Sequence, residues 1–133
     1  MRGQSAVELV ILLSISIVIV LIFTLAIAPI EDRISAERRH ILAKEVLMSA
    51  AAEMDSATIS GDGYMRQFTV PARLRDNTNF TLFVNPEIQR IMIVWGQGNA
   101  IGMKMLTSNV SGNFTHGPQL IRNAGGTVII EEA

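Results

Sequence analysis

The feature that most constrains this chain of 133 residues is an almost uninterrupted apolar run from Ala6 to Ile30, in which Glu8 is the one charged residue. As a helix with a rise of ~1.5 Å per residue, these about 25 residues would measure roughly 37 Å, enough to cross a hydrocarbon layer of ~30 Å. About 17 of them are Val, Ile, Leu or Phe, which contribute about −7 kcal/mol to insertion, whereas a carboxylate at the bilayer centre costs ~3 kcal/mol. We therefore expect a transmembrane helix.

A cleavable secretory signal peptide is the main alternative for this run. Such a signal has an apolar core of about 7–15 residues, followed by small residues at the cleavage site. The core is longer here, although Ala26 and Ala28 would supply small residues. Arg2 lies before the run, and the balanced charges of Glu31–Glu45 follow it, so the amino terminus is expected inside the cell and the rest of the chain outside.

The residues in front of the run carry a recognisable pattern. The stretch Arg2–Glu8 reads RGQSAVE and leads directly into Leu-Val-Ile-Leu-Leu. It resembles the class III signal peptide of archaeal type IV pilin-like proteins, which a prepilin peptidase cuts on the cytoplasmic side of the apolar run. The resemblance implies that residues 1–3 are a leader and that cleavage falls between Gly3 and Gln4. Glu8 would then be the fifth residue of the mature chain, where type IV pilins carry a glutamate.

The resemblance also implies a function. The chain would be a precursor in the cytoplasmic membrane, with its amino terminus inside, and then a structural subunit of an extracellular filament used for surface adhesion. Its implied partners are other copies of itself, the prepilin peptidase, an assembly ATPase with its membrane platform, and membrane lipid before assembly. Two alternatives stay open: an uncleaved single-pass anchor that carries an extracytoplasmic binding or sensor domain, and a minor pilin or pseudopilin.

Glu8 has a physical role in the filament hypothesis. A carboxylate inside an apolar segment needs a partner, and an unpaired buried charge is strongly unfavourable. In a filament, the free amine at Gln4 of one subunit would neutralise Glu8 of a neighbour, which favours one axial register. The alternative is that Glu8 lies at the headgroup boundary of a simple anchor.

The helix is expected to continue beyond the apolar run and to cover residues 4–58, with a transmembrane half (6–30) and an amphipathic half (31–58). Pro29 is a candidate kink, and residues 31–57 contain neither Pro nor Gly. Two apolar stripes follow the helical period. The first contains Ala36, Ala43, Leu47, Ala50 and Met54, and the second contains Ile34, Ile41 and Met48. One stripe suits docking on the chain's own head and the other suits packing against other subunits; alternatively, both are clasped within one domain.

After the glycine-rich break at residues 60–63, the pattern becomes β-like, which predicts an α+β chain with a small antiparallel sheet or sandwich as its head (59–133). Five to seven strands are expected. The segments are Tyr64–Val70, Phe80–Val84, Ile88–Trp95 as a central strand, Met103–Leu106, one near Val110–Phe114, and Thr127–Glu131. A head of about 70 residues has a thin core, so it should depend on the helix for burial.

Three N-glycosylation sequons lie in the predicted head, at Asn79, Asn109 and Asn113, and the sequence favours modification of the closely spaced pair Asn109 and Asn113. Neither histidine, His40 or His116, has neighbours at metal-ligand spacing. The chain has no cysteine and no nucleophile-elbow sequence, and its arginines are scattered. We therefore expect neither an enzyme nor a cofactor, metal or nucleic-acid site.

Overall fold

The computed structural model describes residues 2–133, so Met1, the first residue of the predicted leader, lies outside the described residues. Within residues 2–133 the chain forms one helix and seven strands. The strands are β1 (Met65–Val70), β2 (Phe80–Asn85), β3 (Arg90–Trp95), β4 (Asn99–Lys104), β5 (Val110–Ser111), β6 (Gly117–Ala124) and β7 (Thr127–Glu132). The predicted order of a long N-terminal helix followed by a small β-rich head is confirmed.

The helix, α1, runs from Arg2 to Ser60 and includes Pro29. It ends two residues beyond the predicted boundary, where Gly61 and Gly63 adopt positive φ angles of 73° and 89° that favour glycine. The chain divides into two compact units, one up to Arg38 and the other Arg39–Ala133. The second unit therefore contains the last turns of the helix together with the whole head.

The head contains two sheets. One has the order β1-β6-β7-β5, in which only the short β5–β7 pairing is parallel, and the other is the antiparallel meander β2-β3-β4. The predicted central position of the strand ending at Trp95 is confirmed, because β3 pairs with both β2 and β4. A tight turn over Gly96–Gly98 joins β3 to β4.

The core of the second unit is formed by the sheets and the last turns of the helix. The helix supplies the buried side chains Ala43, Leu47, Ala50, Ala51, Met54 and Ala57. The strands and loops supply others, among them Ile91, Ile93, Trp95, Ile121 and Val128. The expected dependence of the head on the helix is thus borne out, since a small two-sheet head alone would bury little apolar surface.

The two predicted helical stripes have different environments. Leu47 and Met54 of the first stripe are 2% and 0% exposed, whereas Ile41 and Met48 of the second are 56% and 49% exposed. Only one stripe therefore packs on the head, and the alternative in which both are clasped within one domain does not hold. Ala36, which was predicted in the first stripe, is exposed in the unit that ends at Arg38.

The predicted strands differ from the structure by two residues or more at β3, β4 and β5, and one strand was missed. The strand expected from Ile88 begins at Arg90, because residues 86–89 form a turn closed by the bond from Gln89 N to Pro86 O, and the one expected near Val110–Phe114 ends at Ser111.

The expected strand at Met103–Leu106 begins earlier, as β4 at Asn99, because the Gly96–Gly98 turn pairs Trp95 with Asn99 and fixes the register. The longest strand, β6, was not predicted; it lies between β1 and β7 in the larger sheet.

Candidate functional site

The N-terminal part of α1 presents apolar side chains in every direction. The large hydrophobic residues from Val7 to Ile30 are 48% to 69% exposed. Five consecutive residues, Val18–Ile22, are all exposed, and at 3.6 residues per turn they cover the whole circumference of the helix. A surface of this kind is stable only when lipid or protein covers it.

The hydroxyl groups in this segment are satisfied within the helix. Ser14, Ser16 and Thr24 each donate a hydrogen bond of 2.8–2.9 Å to the carbonyl oxygen four residues earlier. Each hydroxyl would thus keep a partner if the segment were surrounded by lipid, where an unsatisfied polar group would be costly. These bonds were not predicted, although Ser and Thr inside an apolar helical sequence indicate them.

Among residues 2–133, α1 is the one helix that is long and apolar enough to cross a membrane. This agrees with the expected membrane-spanning segment at the level of length and composition. Ala26, which would supply a secretory cleavage site in the alternative, lies inside the continuous helix.

The residues predicted at the processing and assembly site lie near the start of α1. The backbone is helical at Gly3 and Gln4, and the side chains of Gln4 and Glu8 are exposed. Within the described part of the chain, Glu8 has no hydrogen-bonding or ionic partner. Glu8 is therefore a lone carboxylate on an apolar surface.

A polar cluster connects the last turns of α1 to the head. Glu53 is 8% exposed, accepts a hydrogen bond from the hydroxyl of Tyr64 and pairs with Arg66 at 3.4 Å. Burial raises the pKa of Tyr64 above its ordinary value of 10.0, the bond to Glu53 raises it further, and Arg66 lowers it. This cluster was not predicted from the sequence. Its signal there is Glu53, an acidic residue three positions after Ala50 on the buried stripe.

The three sequon asparagines are all exposed, but they differ in their hydrogen bonds. Asn109 Nδ2 donates to Gly126 O at 3.3 Å and to Thr127 Oγ1 at 2.9 Å. Asn113 Oδ1 accepts from the backbone N–H groups of Val84 and Phe114, at 2.9 Å and 3.0 Å. Asn79 lies immediately before β2, and its side chain makes no hydrogen bond within residues 2–133.

The two histidines pack against aromatic rings of the head. The ring of His40 meets that of Trp95 edge-on at 5.8 Å. His116 meets Phe80 at 5.1 Å, and its Nδ1 lies 2.9 Å from the carbonyl oxygen of Pro71, which requires a proton on that nitrogen. No group of three or more metal-ligating side chains occurs among the described residues.

Comparisons of the chain with protein-family models, with curated proteins and with solved structures find no match.

Proposed function

We propose that the chain is the precursor of a structural subunit of an extracellular, type IV pilus-like filament. A prepilin peptidase would cut it between Gly3 and Gln4, and the mature chain would polymerise through α1, with the heads displayed for surface adhesion. The observation that supports this most directly is the apolar N-terminal part of α1, whose described side chains are all exposed from Gln4 to Ile27.

The apolar surface requires two successive environments in this proposal. Lipid covers it while the precursor is in the membrane, and the same surfaces of neighbouring subunits cover it in the filament. Transfer from lipid to a bundle of like helices keeps the apolar groups out of water throughout. Because Val18–Ile22 are exposed all round the helix, the segment suits the centre of such a bundle, where neighbours lie on every side.

Glu8 is the charged residue of this surface. In the filament its carboxylate would pair with the α-amine that cleavage creates at Gln4 of a neighbouring subunit. An ion pair in an apolar interior is favourable only when both charges are aligned, so it selects one register. The leader would block this pair until it is removed, since the amine at Gln4 exists only after cleavage.

The second apolar stripe provides a contact surface nearer to the head. Ile41 and Met48 are exposed on the part of the helix whose other side carries the buried Leu47 and Met54. The buried side holds the head, and the exposed side remains for another subunit. Ile34, which is 58% exposed, belongs to the same predicted stripe.

Two other functions share the apolar helix. An uncleaved anchor with a binding or sensor head would use it only to hold the chain in the membrane, and a minor pilin or pseudopilin would assemble at low copy number. Neither function gives the exposed apolar side chains of Ile41 and Met48 a protein partner in an abundant polymer. We prefer the filament subunit because in a filament a neighbouring subunit would cover them.

The test is mass spectrometry of the amino-terminal peptide in membranes and in sheared surface material from the native host. A chain that starts at Gln4 in the sheared fraction supports the proposal. The variant Gly3→Val should stop processing and leave the chain in membranes, whereas Ala26→Val, a similar change inside the apolar run, should be processed normally. A start at Met1, confined to membranes, would favour the anchored receptor instead.

A further inference from the structure

The three sequons are chemically equivalent in the sequence but not in the structure. N-glycosylation joins the side-chain amide nitrogen of Asn to a sugar, and the enzyme also reads the hydroxyl group two residues later. A sequon is therefore usable in the folded head when two groups are accessible: its Nδ2 and its hydroxyl oxygen.

We infer that Asn79 is the glycan acceptor of the folded head, in preference to Asn109 and Asn113. The inference rests on the proposed location of the head outside the cytoplasm, but not on polymerisation. The donor would be a glycan carried on a lipid phosphate. Asn79 Nδ2 would form a bond to the anomeric carbon of the glycan and give up one proton to a base of the transferase. The bond between that carbon and the phosphate oxygen would break, and the lipid phosphate would leave.

Asn109 is unsuitable because its amide nitrogen is part of the fold. Gly126 O can only accept a hydrogen bond, so its partner must be the nitrogen of the Asn109 side-chain amide and not the oxygen. This contact therefore determines the orientation of the amide. Both N–H groups are used, one by Gly126 O and the other by Thr127 Oγ1. A glycosylated amide retains a single N–H, so at least one of these bonds would be lost, next to the β6–β7 turn that they support.

The sequon of Asn113 has a suitable amide nitrogen, but the hydroxyl group of its third residue is already used by the fold. Its two backbone partners are donors, which fixes Oδ1 inward and directs Nδ2 away from them. The hydroxyl of its sequon belongs to Thr115, which accepts a hydrogen bond of 2.7 Å from the buried Gln119 and donates one of 3.3 Å to Glu132. A transferase would have to break these contacts to read Thr115.

Asn79 meets both requirements. It lies just before β2, an edge strand of the three-stranded sheet, and is exposed. Thr81 is also exposed, lines a surface groove and, like Asn79, makes no side-chain hydrogen bond within the described residues. Between them, Phe80 is 4% exposed and anchors the start of β2, so that Asn79 lies at the exposed end of the strand and Thr81 on its exposed face. The inference departs from the sequence-based preference for the Asn109 and Asn113 pair.

The experiment is site-by-site glycopeptide mass spectrometry of the full chain from its native host. Occupancy should be highest at Asn79, and Thr81→Val, which keeps a β-branched side chain on an exposed strand position, should abolish it at that site. The matched variant Ser111→Ala, which removes the Asn109 sequon, should leave the occupancy of Asn79 unchanged. Occupancy at Asn109 or Asn113 equal to that at Asn79, or no glycan at Asn79, would overturn the inference.

The same digest separates this inference from the filament proposal. A chain that starts at Gln4 but carries no glycan at Asn79 contradicts the site assignment alone. A chain that starts at Met1 and carries glycan at Asn79 contradicts processing and filament assembly, and supports the site assignment, because transfer requires only an outward-facing head.

Discussion

The buried side-chain amide of Asn123 donates a hydrogen bond of 2.9 Å to the main-chain carbonyl oxygen of Ala57, in the last turn of α1. The carbonyl groups in the last turn of a helix lack the regular helical partners, and Ala57 O has two donors here: Gly61 N at 3.3 Å and the Asn123 side chain. The backbone of Asn123 adds two further bonds, one from Gly63 N to its carbonyl oxygen and one from its own N–H to Tyr64 O. The end of the helix is thereby fixed to β6.

Replacement of Asn123 should therefore destabilise the head. We expect Asn123→Ala to lower the free energy of unfolding by about 1–3 kcal/mol, because it removes two side-chain hydrogen bonds: the one to Ala57 O and the one that Asn123 Oδ1 accepts from Gly126 N. The measurement is urea unfolding of the full chain in detergent micelles, followed by the fluorescence of Trp95, the single tryptophan, which is 6% exposed. Asn99→Ala, at an exposed position, is the control and should change stability by less than about 0.5 kcal/mol.

Tyr64 offers a spectroscopic prediction, because it is the only tyrosine of the chain. Its pKa is raised above 10.0, first by burial and then by Glu53, so the tyrosinate absorbance should rise with a midpoint above pH 10. Glu53→Gln should shift the midpoint down, whereas Glu45→Gln, at the exposed pair with Arg75, should not. A midpoint that is unaffected by Glu53→Gln would contradict the contact.

The same shift gives a direction for stability against pH. A raised pKa in the folded state means that the unfolded chain loses the tyrosine proton first as the pH rises. The stabilisation that Tyr64 provides is therefore fully present below about pH 10 and is lost as the pH rises through the folded-state value.

Two methionines on the same helix test the assignment of its two faces. Met54 is fully buried and Met48 is 49% exposed. Met54→Ala should lower the free energy of unfolding by about 2–5 kcal/mol, since it leaves a cavity in the core. Met48→Ala should change it by less than about 0.5 kcal/mol but reduce the amount of protein in sheared surface material. Equal effects of both substitutions on unfolding would contradict the assignment.

Two separate effects favour glycine at position 112: its backbone conformation and the lack of space for a β-carbon. Only the first effect applies at Gly98, which therefore serves as the control. Gly112 and Gly98 have the same φ of 92°, so alanine at either is strained, at a cost of about 1–2 kcal/mol. At Gly112 a β-carbon would also collide with the carbonyl oxygen of Ile130, whereas at Gly98 it would meet open space. Gly112→Ala should therefore lower the unfolding free energy more than Gly98→Ala, and equal effects would show that the collision is relieved.

The sequence predicted the helix, its buried stripe and the central strand β3 because each has a clear apolar period. The strand β6 was not predicted, because most of its positions that face the core are polar. The positions that face the core are Gln119, Ile121 and Asn123, so two of the three are polar, and the strand begins with Gly117-Pro118. Both polar side chains are buried because they have hydrogen-bonding partners, which no local pattern reveals.

The candidate site was only partly readable for a related reason. Apolar length and the position of Glu8 are local properties and can be read directly from the sequence. The difference between Asn109 and Asn79 depends on Gly126 and Thr127, which are 17 and 18 residues away from Asn109. Contacts over that separation require the strand order, and the strand order was uncertain without β6.

Glu8 provides the most direct test of assembly as distinct from anchoring. Glu8→Gln should insert into the membrane at least as well as the unmodified chain, because the amide lacks the carboxylate's desolvation cost. The yield of the filament that we propose should fall at least about tenfold, since an unpaired buried amine costs about 3–5 kcal/mol. Glu31→Gln, just beyond the apolar run, removes the same charge at an exposed position and should leave both quantities unchanged. Quantitative mass spectrometry of membrane and sheared fractions measures both. Because a simple anchor needs no partner for Glu8, an unchanged sheared fraction in Glu8→Gln would contradict the role of this carboxylate in assembly.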